Sequence, residues 1–301
     1  METELWPNLV QAAVSARVPL VIANARLSVK SLARGNRFKA LLAPALAQIS
    51  LVLAQTDADA TRIAQLAPVD APVVGNLKFD VRPDASLLAI GRQWRLRVGC
   101  PVVVFASSRD GEEQLVLDAW HRAARDDVLL ILVPRHPQRF DEVRSLINET
   151  AMPMADRQVL DTSRATDNDP WVQPAPRILL GNSMGEMPAW YAMADVVLMG
   201  GSLQPHGGQN LIEACACGAP VILGPSTYNF KLAAEQAIQI NAAARVTNAE
   251  EAVFCALDLI DDPVRLEGMA QNAVQFASAH RGATASSVEQ ISALLDRRGN
   301  R

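Results

Sequence analysis

The chain has 301 residues, half of them hydrophobic and a fifth charged, with glycine and proline spread along its length. That composition excludes disordered and collagenous classes and leaves room for two domains of ordinary size. The net charge of −4 hides an asymmetry: Leu5 to Thr56 contains no Asp or Glu but carries Arg17, Arg26, Lys30, Arg34, Arg37 and Lys39, so this segment is +6 and the remainder −10.

VPLVIANA (18–25) reads as the first buried strand. Between Phe38 and Ile49 apolar residues recur at helical spacing, with the basic residues clustered just before them. Two readings stand side by side. One is an amphipathic core helix with a solvated basic face; the other is a patch of Arg26, Lys30, Arg34, Arg37 and Lys39 turned to an anionic membrane surface or phosphorylated lipid, where each cation is worth about 1 kcal/mol. The nearly apolar stretch 40–54 is too short to span a membrane and is broken by Pro44, Gln48 and Ser50. ISLVLAQ (49–55) is a second strand, followed by a helix opened by Thr56 or Asp57, and VVGNLKFDVRPD (73–84) offers a short strand and a proline-containing linker.

A second series begins with PVVVFASS (101–108) and a helix over 112–125, then VLLILVPRH (128–136), a helix near 138–148, and a proline-rich excursion over 150–176. RILLG (177–181), a helix at 185–193, DVVLMGG (195–201), a helix at 209–217, PVILGP (220–225), a helix near 231–240 and a polar helical stretch over 263–298 complete it. Short continuous apolar runs alternating with helices predict parallel strands covered on both faces, a doubly wound Rossmann-like domain. Residues 1–80 supply about three strands, half of what such a domain normally holds. Cys100, Cys215, Cys217 and Cys255 show neither a CxxC pair nor framework spacing, which fits a reduced cytosol.

In open parallel sheets the ligand lies beyond the carboxyl ends of the strands. Ser107, Ser108 and Arg109 with the acidic helix start Gly111-Glu112-Glu113, then Pro134, Arg135 and His136, then Asn182 to Glu186, and finally GGSLQPHGGQNLIEA (200–214) occupy those positions. Gly200, Gly201, Gly207 and Gly208 suit close backbone approach to a phosphate, and Asn210 and Glu213, three apart on one helical face, suit vicinal hydroxyls such as those of a ribose. A tight loop with Asn210 as helix cap accounts for the same residues. Arg135 suits phosphate or carboxylate, or a surface ion pair; His136 is a proton carrier or a packed imidazole; Glu186 binds ligand or favours the helix dipole. Asp57-Ala58-Asp59 lies at a helix start without supporting ligands and is not read as a metal site, and the glycine pattern is not GxGxxG.

Taken together, METELWPN (1–8), NARLS (24–28), GNLKFD (75–80), VPRHPQRF (133–140), GNSMGEM (181–187), GGSLQPHGGQNLIEA (200–214) and GPSTYNF (224–230) strongly resemble the 3-deoxy-D-manno-octulosonic acid (Kdo) transferases of lipopolysaccharide synthesis. The resemblance implies an α/β GT-B fold: an N-terminal acceptor-side Rossmann-like domain, truncated here to 1–82, and a C-terminal CMP-sugar donor domain over 83–301. It implies inverting transfer of Kdo from CMP-Kdo to the lipid A precursor, lipid IVA, at the cytoplasmic face of the bacterial inner membrane, with no metal, cofactor or nucleic acid. Pro134 and Arg135 are then expected to contact CMP, Met184, Gly185 and Glu186 to line the nucleotide site beside Ser107 and the glycine loop, and Asn210 with Glu213 to meet ribose and phosphate. The basic patch would meet the phosphates of lipid A and of the surrounding anionic lipids.

The sequence departs from the family in Asn182 for Asp, Ser226 for His and Tyr228 for Phe, and it contains no Ser-Val-Gly-Glu motif, whose Glu the resemblance implies as general base. Glu2 and Glu4 are the accessory carboxylates nearest that role, or anchors of the chain start. The reading is therefore a Kdo transferase whose activity in this form is in question. A non-catalytic CMP-sugar-binding fragment is the alternative, and a GT-B nucleotide-sugar epimerase is disfavoured because the motifs reach into the acceptor side.

Overall fold

The structure is a computed structural model and describes residues 5–161, 176–279 and 281–299. The chain divides into two compact units, residues 1–80 with 279–301, and residues 81–278.

In the first unit, α1 (Pro7–Ser15) starts on a proline, whose fixed φ suits the first helical turn. Strand β1 (Val21–Ala25) leads to α2 (Val29–Arg37), whose Ser28 cap accepts from the Ser31 amide at 3.0 Å. Phe38 breaks the helical run before α3 (Lys39–Ala47). Strand β2 (Leu51–Ala54) pairs in parallel with β1, and Val73 adds an isolated bridge to Ala54. Helix α4 (Asp57–Leu66) opens on a reciprocal cap: Thr56 accepts from the Asp59 amide and donates its hydroxyl to the Asp59 carboxylate. Asp59 also accepts from the Leu27 amide and pairs with Arg62, so the two aspartates read at this position serve the helix start. The expected core helix over 38–49 is corrected in one respect: Phe38 and Leu41 are 64% and 59% exposed, and the stripe that packs inward is Ala45 and Leu46.

The second unit opens with α5 (Ala85–Val98), capped by Asp84 and closed by Gly99 in the left-handed region. Its sheet alternates β3 (Val102–Ser108), α6 (Glu112–Ala123), β4 (Leu129–Pro134), α7 (Phe140–Glu149), β5 (Met154–Asp156), β6 (Ile178–Leu180), α8 (Met187–Met193), β7 (Val196–Met199), α9 (Leu211–Ala216), β8 (Val221–Leu223), α10 (Lys231–Gln239) and β9 (Ala243–Arg245), followed by α11 (Ala249–Ile260) and α12 (Pro263–Ala279). All seven strands are parallel, in the order β5-β6-β4-β3-β7-β8-β9. Every residue of β3 and β4 is buried, as a sheet covered on both faces requires. Alternate residues share one core: Val103 and Phe105, Leu130 and Leu132, Ile178 and Leu180, and Val196 and Leu198 pack with Val116 and Trp120 of α6, Ile147 of α7 and Val253 of α11. On the same unit α5 packs against α8 so closely that a Cβ at Gly91 would lie 2.2 Å from the Ala189 carbonyl oxygen. Trp94 and Trp190 stack there at 5.0 Å, with Arg157 over the Trp94 ring.

Three sequence expectations change. The excursion over 150–176 contributes an edge strand, β5, while 162–175 lie outside the described residues. Residues 73–84 form a single bridge and a 3-10 turn, Leu77–Phe79. The polar tail splits into α12 and α13 (Ala283–Gly299), and α13 packs on β2 and the Leu77–Phe79 turn, so residues 279–301 group with the first unit instead of the donor-side domain.

Asp80 latches α13. Burial opposes its charge, but the Thr284 hydroxyl and the Gly282 and Thr284 amides outweigh that and hold its carboxyl below the ordinary 3.8. Asp80→Asn is expected to cost about 1 kcal/mol, the worth of a helix cap. Because the native pKa is depressed, this stabilisation is complete above the unfolded value of 3.8 and is lost as pH falls through the native one. The Tm difference between wild type and variant should therefore be constant from neutral pH to about pH 5 and close below it. A difference that persists at pH 2 would assign the effect to shape instead of charge.

Candidate functional site

The sheet order changes direction at β3, which has β4 on one side and β7 on the other. Beyond the carboxyl ends of these strands lies the crevice where open α/β sheets bind ligands. Two loops meet there. Ser107, next to last in β3, has φ +55, an uncommon conformation for a buried non-glycine residue. Opposite it, Gly200 follows β7 so tightly that a Cβ would lie 2.4 Å from the Ser107 carbonyl oxygen. Gly201, Gly207 and Gly208 then take positive φ values of 67, 90 and 77, which is why this turn needs glycine.

The four glycine amides are all bonded within the protein. Gly200 donates to Ala106 O (2.8 Å), Gly201 to Glu112 (2.6 Å), Gly207 to the Ser226 hydroxyl (3.0 Å) and Gly208 to Gly201 O (2.6 Å). In this arrangement the glycines shape the loop, and their N–H donors are already taken within the protein. Beside the loop, Gln204, Pro205, Thr227, Tyr228, Lys231 and Arg245 line a cleft of about 510 Å³.

Asn210 and Glu213 come together as their spacing implied. Asn210 accepts from the Ile212 amide (3.1 Å) and donates to Glu213 (3.1 Å), so it caps α9 and orients the carboxylate. Behind them Tyr191 is buried; burial raises its phenol above the ordinary range, the Glu213 charge adds to this, and the Arg135 charge opposes it. Arg135 is exposed at the end of β4, and its guanidinium makes no hydrogen bond or ion pair among the described residues; its backbone amide donates to Ser108 O. Pro134 is buried as the last residue of β4, and Met184 is exposed. Gly185 has φ +80 and leads into Glu186 at the start of α8. Glu186 has a structural partner: hydrogen bonds from Arg157 hold its carboxyl below the usual range against the effect of burial, and the Ser183 hydroxyl adds to them.

Residues 1–81 match the family model described as 3-deoxy-D-manno-octulosonic-acid transferase (kdotransferase). The chain is 42% identical over 296 residues to the 3-deoxy-D-manno-octulosonic acid transferase of Bordetella pertussis, covering 97% of this chain and 67% of that protein. It is 32% identical to the Haemophilus influenzae protein of the same name, covering 99% and 69%. The chain belongs to the Kdo transferase family. It spans about two thirds of the length of these relatives. Among solved structures, the C-terminal CMP-Kdo binding domain of WaaA from Acinetobacter baumannii matches with TM-score 0.57 and 27% identity over 64% of this chain and 98% of that one. HepE of Anabaena in complex with UDP matches with TM-score 0.58 and 22% identity, covering 97% and 76%, and S. aureus MnaA with UDP with 0.58 and 15%, covering 95% and 72%. The fold of this Kdo transferase family member is GT-B.

In the first unit, Arg26, Lys30, Arg34 and Arg37 make no side-chain hydrogen bond or ion pair among the described residues, whereas Lys39 donates to Gln65 O (2.9 Å). Arg26 and Arg34 rim a cavity of about 350 Å³ lined by Ile22, Leu27, Phe38, Leu42 and Leu66. Val29, Phe38 and Leu41 are exposed on the same segment. Among the described residues no helix is long and apolar enough to cross a membrane. Glu2 and Glu4 lie outside the described residues.

Sequence reasoning placed Glu112 and Glu113 after β3 without giving them a role, and it did not single out Arg139. Both glutamates are fully buried at the start of α6, Glu113 between the Ser108 hydroxyl (2.7 Å) and Arg139 (2.6 Å). Two adjacent acids after a strand read as helix-dipole partners, and only their long-range partners reveal more.

Proposed function

We propose that this chain binds CMP-Kdo at the carboxyl ends of β3, β4, β6 and β7 and belongs to an enzyme that transfers Kdo with inversion to the lipid A precursor, lipid IVA, without a metal. The observation that carries the reading is the Asn210–Glu213 pair at the start of α9, with Arg135 directly after β4, beyond the carboxyl ends of a parallel sheet in a chain that is similar to a CMP-Kdo binding domain. In this reading Arg135 meets the phosphate of CMP, where its charge stabilises the leaving nucleotide as the glycosidic bond breaks. Glu213, held by Asn210, accepts from the ribose hydroxyls. Ser107, Pro134, Met184, Gly185 and the glycine loop line the nucleotide, and Glu186 holds the neighbouring loop through Arg157.

The acceptor side of the reading rests on the first unit. Arg26, Lys30, Arg34 and Arg37, with Val29, Phe38 and Leu41 exposed beside them, suit the phosphates and apolar boundary of an anionic membrane, which fits peripheral attachment at the cytoplasmic face of the inner membrane. An inverting transfer also needs a base within hydrogen-bond reach of the attacking hydroxyl. The family resemblance assigns that base to the Glu of a Ser-Val-Gly-Glu motif, and donor binding without transfer is the second reading.

Calorimetry with CMP on the 301-residue chain tests the site. Wild type is expected to bind, with Arg135→Ala and Glu213→Ala each weakening affinity about tenfold or more, the loss of a charge-assisted contact. Absence of CMP binding, or variants that bind like wild type, overturns the assignment. A parallel assay with CMP-Kdo and lipid IVA separates the two readings: product identifies a transferase complete in this chain, and binding without product supports the second.

A further inference from the structure

We propose that Glu112 is the positioning residue of the glycine loop, and that through this loop it sets nucleotide affinity; the second half rests on the donor-site reading above. The Glu112 carboxylate is fully buried, and both its oxygens are shared between main-chain donors. Oε2 accepts from the amides of Arg109 (2.9 Å) and Gly201 (2.6 Å), and Oε1 from those of Leu203 (2.9 Å) and Gln204 (3.2 Å).

The Arg109 bond is local, reaching back three residues from the first residue of α6. The other three reach across 89 to 92 residues, from the loop after β3 to the loop after β7. A helix cap does not require them. An ionised carboxylate is a pure acceptor, so it can satisfy four converging N–H groups, and the N-terminus of the twelve-residue α6 favours its charge. Glutamine, nearly identical in shape, turns one of those acceptor oxygens into an NH2 that faces two amide donors. The requirement is therefore for charge as well as shape.

The consequence for the site follows from chain order. Residues 201–204 are held by Glu112, residue 207 is held by Ser226, and Asn210 and Glu213 come immediately after. The adjacent Glu113 acts on the other flank, joining Ser108 to Arg139 five residues after Pro134. One acidic pair at the start of α6 thus fastens the loops on both sides of β3, and Glu112 governs the one that presents Asn210 and Glu213.

The test is Glu112→Gln in the full chain, read by site-resolved amide exchange and CMP calorimetry, with Tm recorded. The expected result is exchange about tenfold faster or more at Gly201, Leu203 and Gln204 while β3 amides stay protected, together with CMP affinity about tenfold weaker. A residue that only added global stability would lower protection evenly and leave CMP affinity of the folded protein unchanged, which overturns the proposal, as does unchanged exchange at the three amides. If wild type fails to bind CMP while the three amides still lose protection in the variant, the donor-site reading falls and the positioning role stands. Should the variant not fold, wild type decides: protection at all three amides supports the role, and exchange at free-peptide rates overturns it.

Discussion

Gly200→Ala is expected to cost about 1–3 kcal/mol, lowering Tm by roughly 2–12 °C, and to abolish measurable CMP binding. The added Cβ would sit 2.4 Å from Ser107 O, 2.6 Å from Ser107 C and 2.7 Å from Ala106 O. These are main-chain atoms at the end of the central strand, so no side chain can swing aside. The ends of β3 and β7 must part, which breaks the Gly200–Ala106 hydrogen bond and carries the Glu112-held loop away from its partners. Gly268→Ala in α12 is the comparison: nothing lies within 4 Å of its Cβ position, and alanine in a helix interior should stabilise by roughly 0.5–1 kcal/mol. Thermal melts of the two variants side by side give the measurement. A Gly200→Ala protein with wild-type Tm and CMP affinity would show that the two loops are not locked.

Arg139→Ala is expected to be the more destabilising, by about 3–5 kcal/mol, because it leaves a buried carboxylate without its counter-charge. Glu113 is inaccessible to solvent and its Oε2 has no hydrogen-bond partner among the described residues, where Arg139 and the Ser108 hydroxyl carry its compensation through Oε1. Hydrogen bonds to Glu142 hold the guanidinium firmly protonated, and the Glu113 carboxylate adds to this against the opposing effect of burial. The double variant Arg139→Ala/Glu113→Gln separates the causes in denaturant melts. If the uncompensated charge is responsible, the double variant is more stable than Arg139→Ala alone. If it is no better, the loss lies in the packing of the arginine stem and its Glu142 bonds.

The central strands were legible because each is a continuous apolar run bounded by turn residues, as in VVVFA (102–106) and LLILVP (129–134). The flanking elements were not. Strand β9 is Ala-Ala-Arg and β5 is Met-Ala-Asp, three residues each and without a β-branched side chain, so only their place beside β8 and β6 makes them strands. Helix α5 has Gly91 in its interior and carries its signal at the ends, Asp84 and Gly99, where capping and not periodicity identifies it. Helix α1 has the same character, with Pro7 in its first turn. Arg135, Asn210 and Glu213 could be singled out because they follow apolar runs at readable spacing. The roles of Glu112 and Arg139 could not be read, since what defines them is a partner 89 residues away in one case and 26 in the other. Nor does the sequence say that the glycine amides are occupied. Their acceptors come from Ala106, Glu112, Gly201 and Ser226, and only folding brings these together.

The return of α13 to the first unit has a consequence for the order in which the protein is made. Residues 81–278 form an uninterrupted stretch, so this sheet has its full complement of chain as soon as residue 278 has left the ribosome. The other unit does not, because α13 and the Gly282 and Thr284 amides that Asp80 holds are translated after residue 278. Domains fold as units during synthesis at about 5–20 residues per second. Residues 81–278 can therefore gain their native contacts first, and the unit of residues 1–80 closes only once α13 has been made.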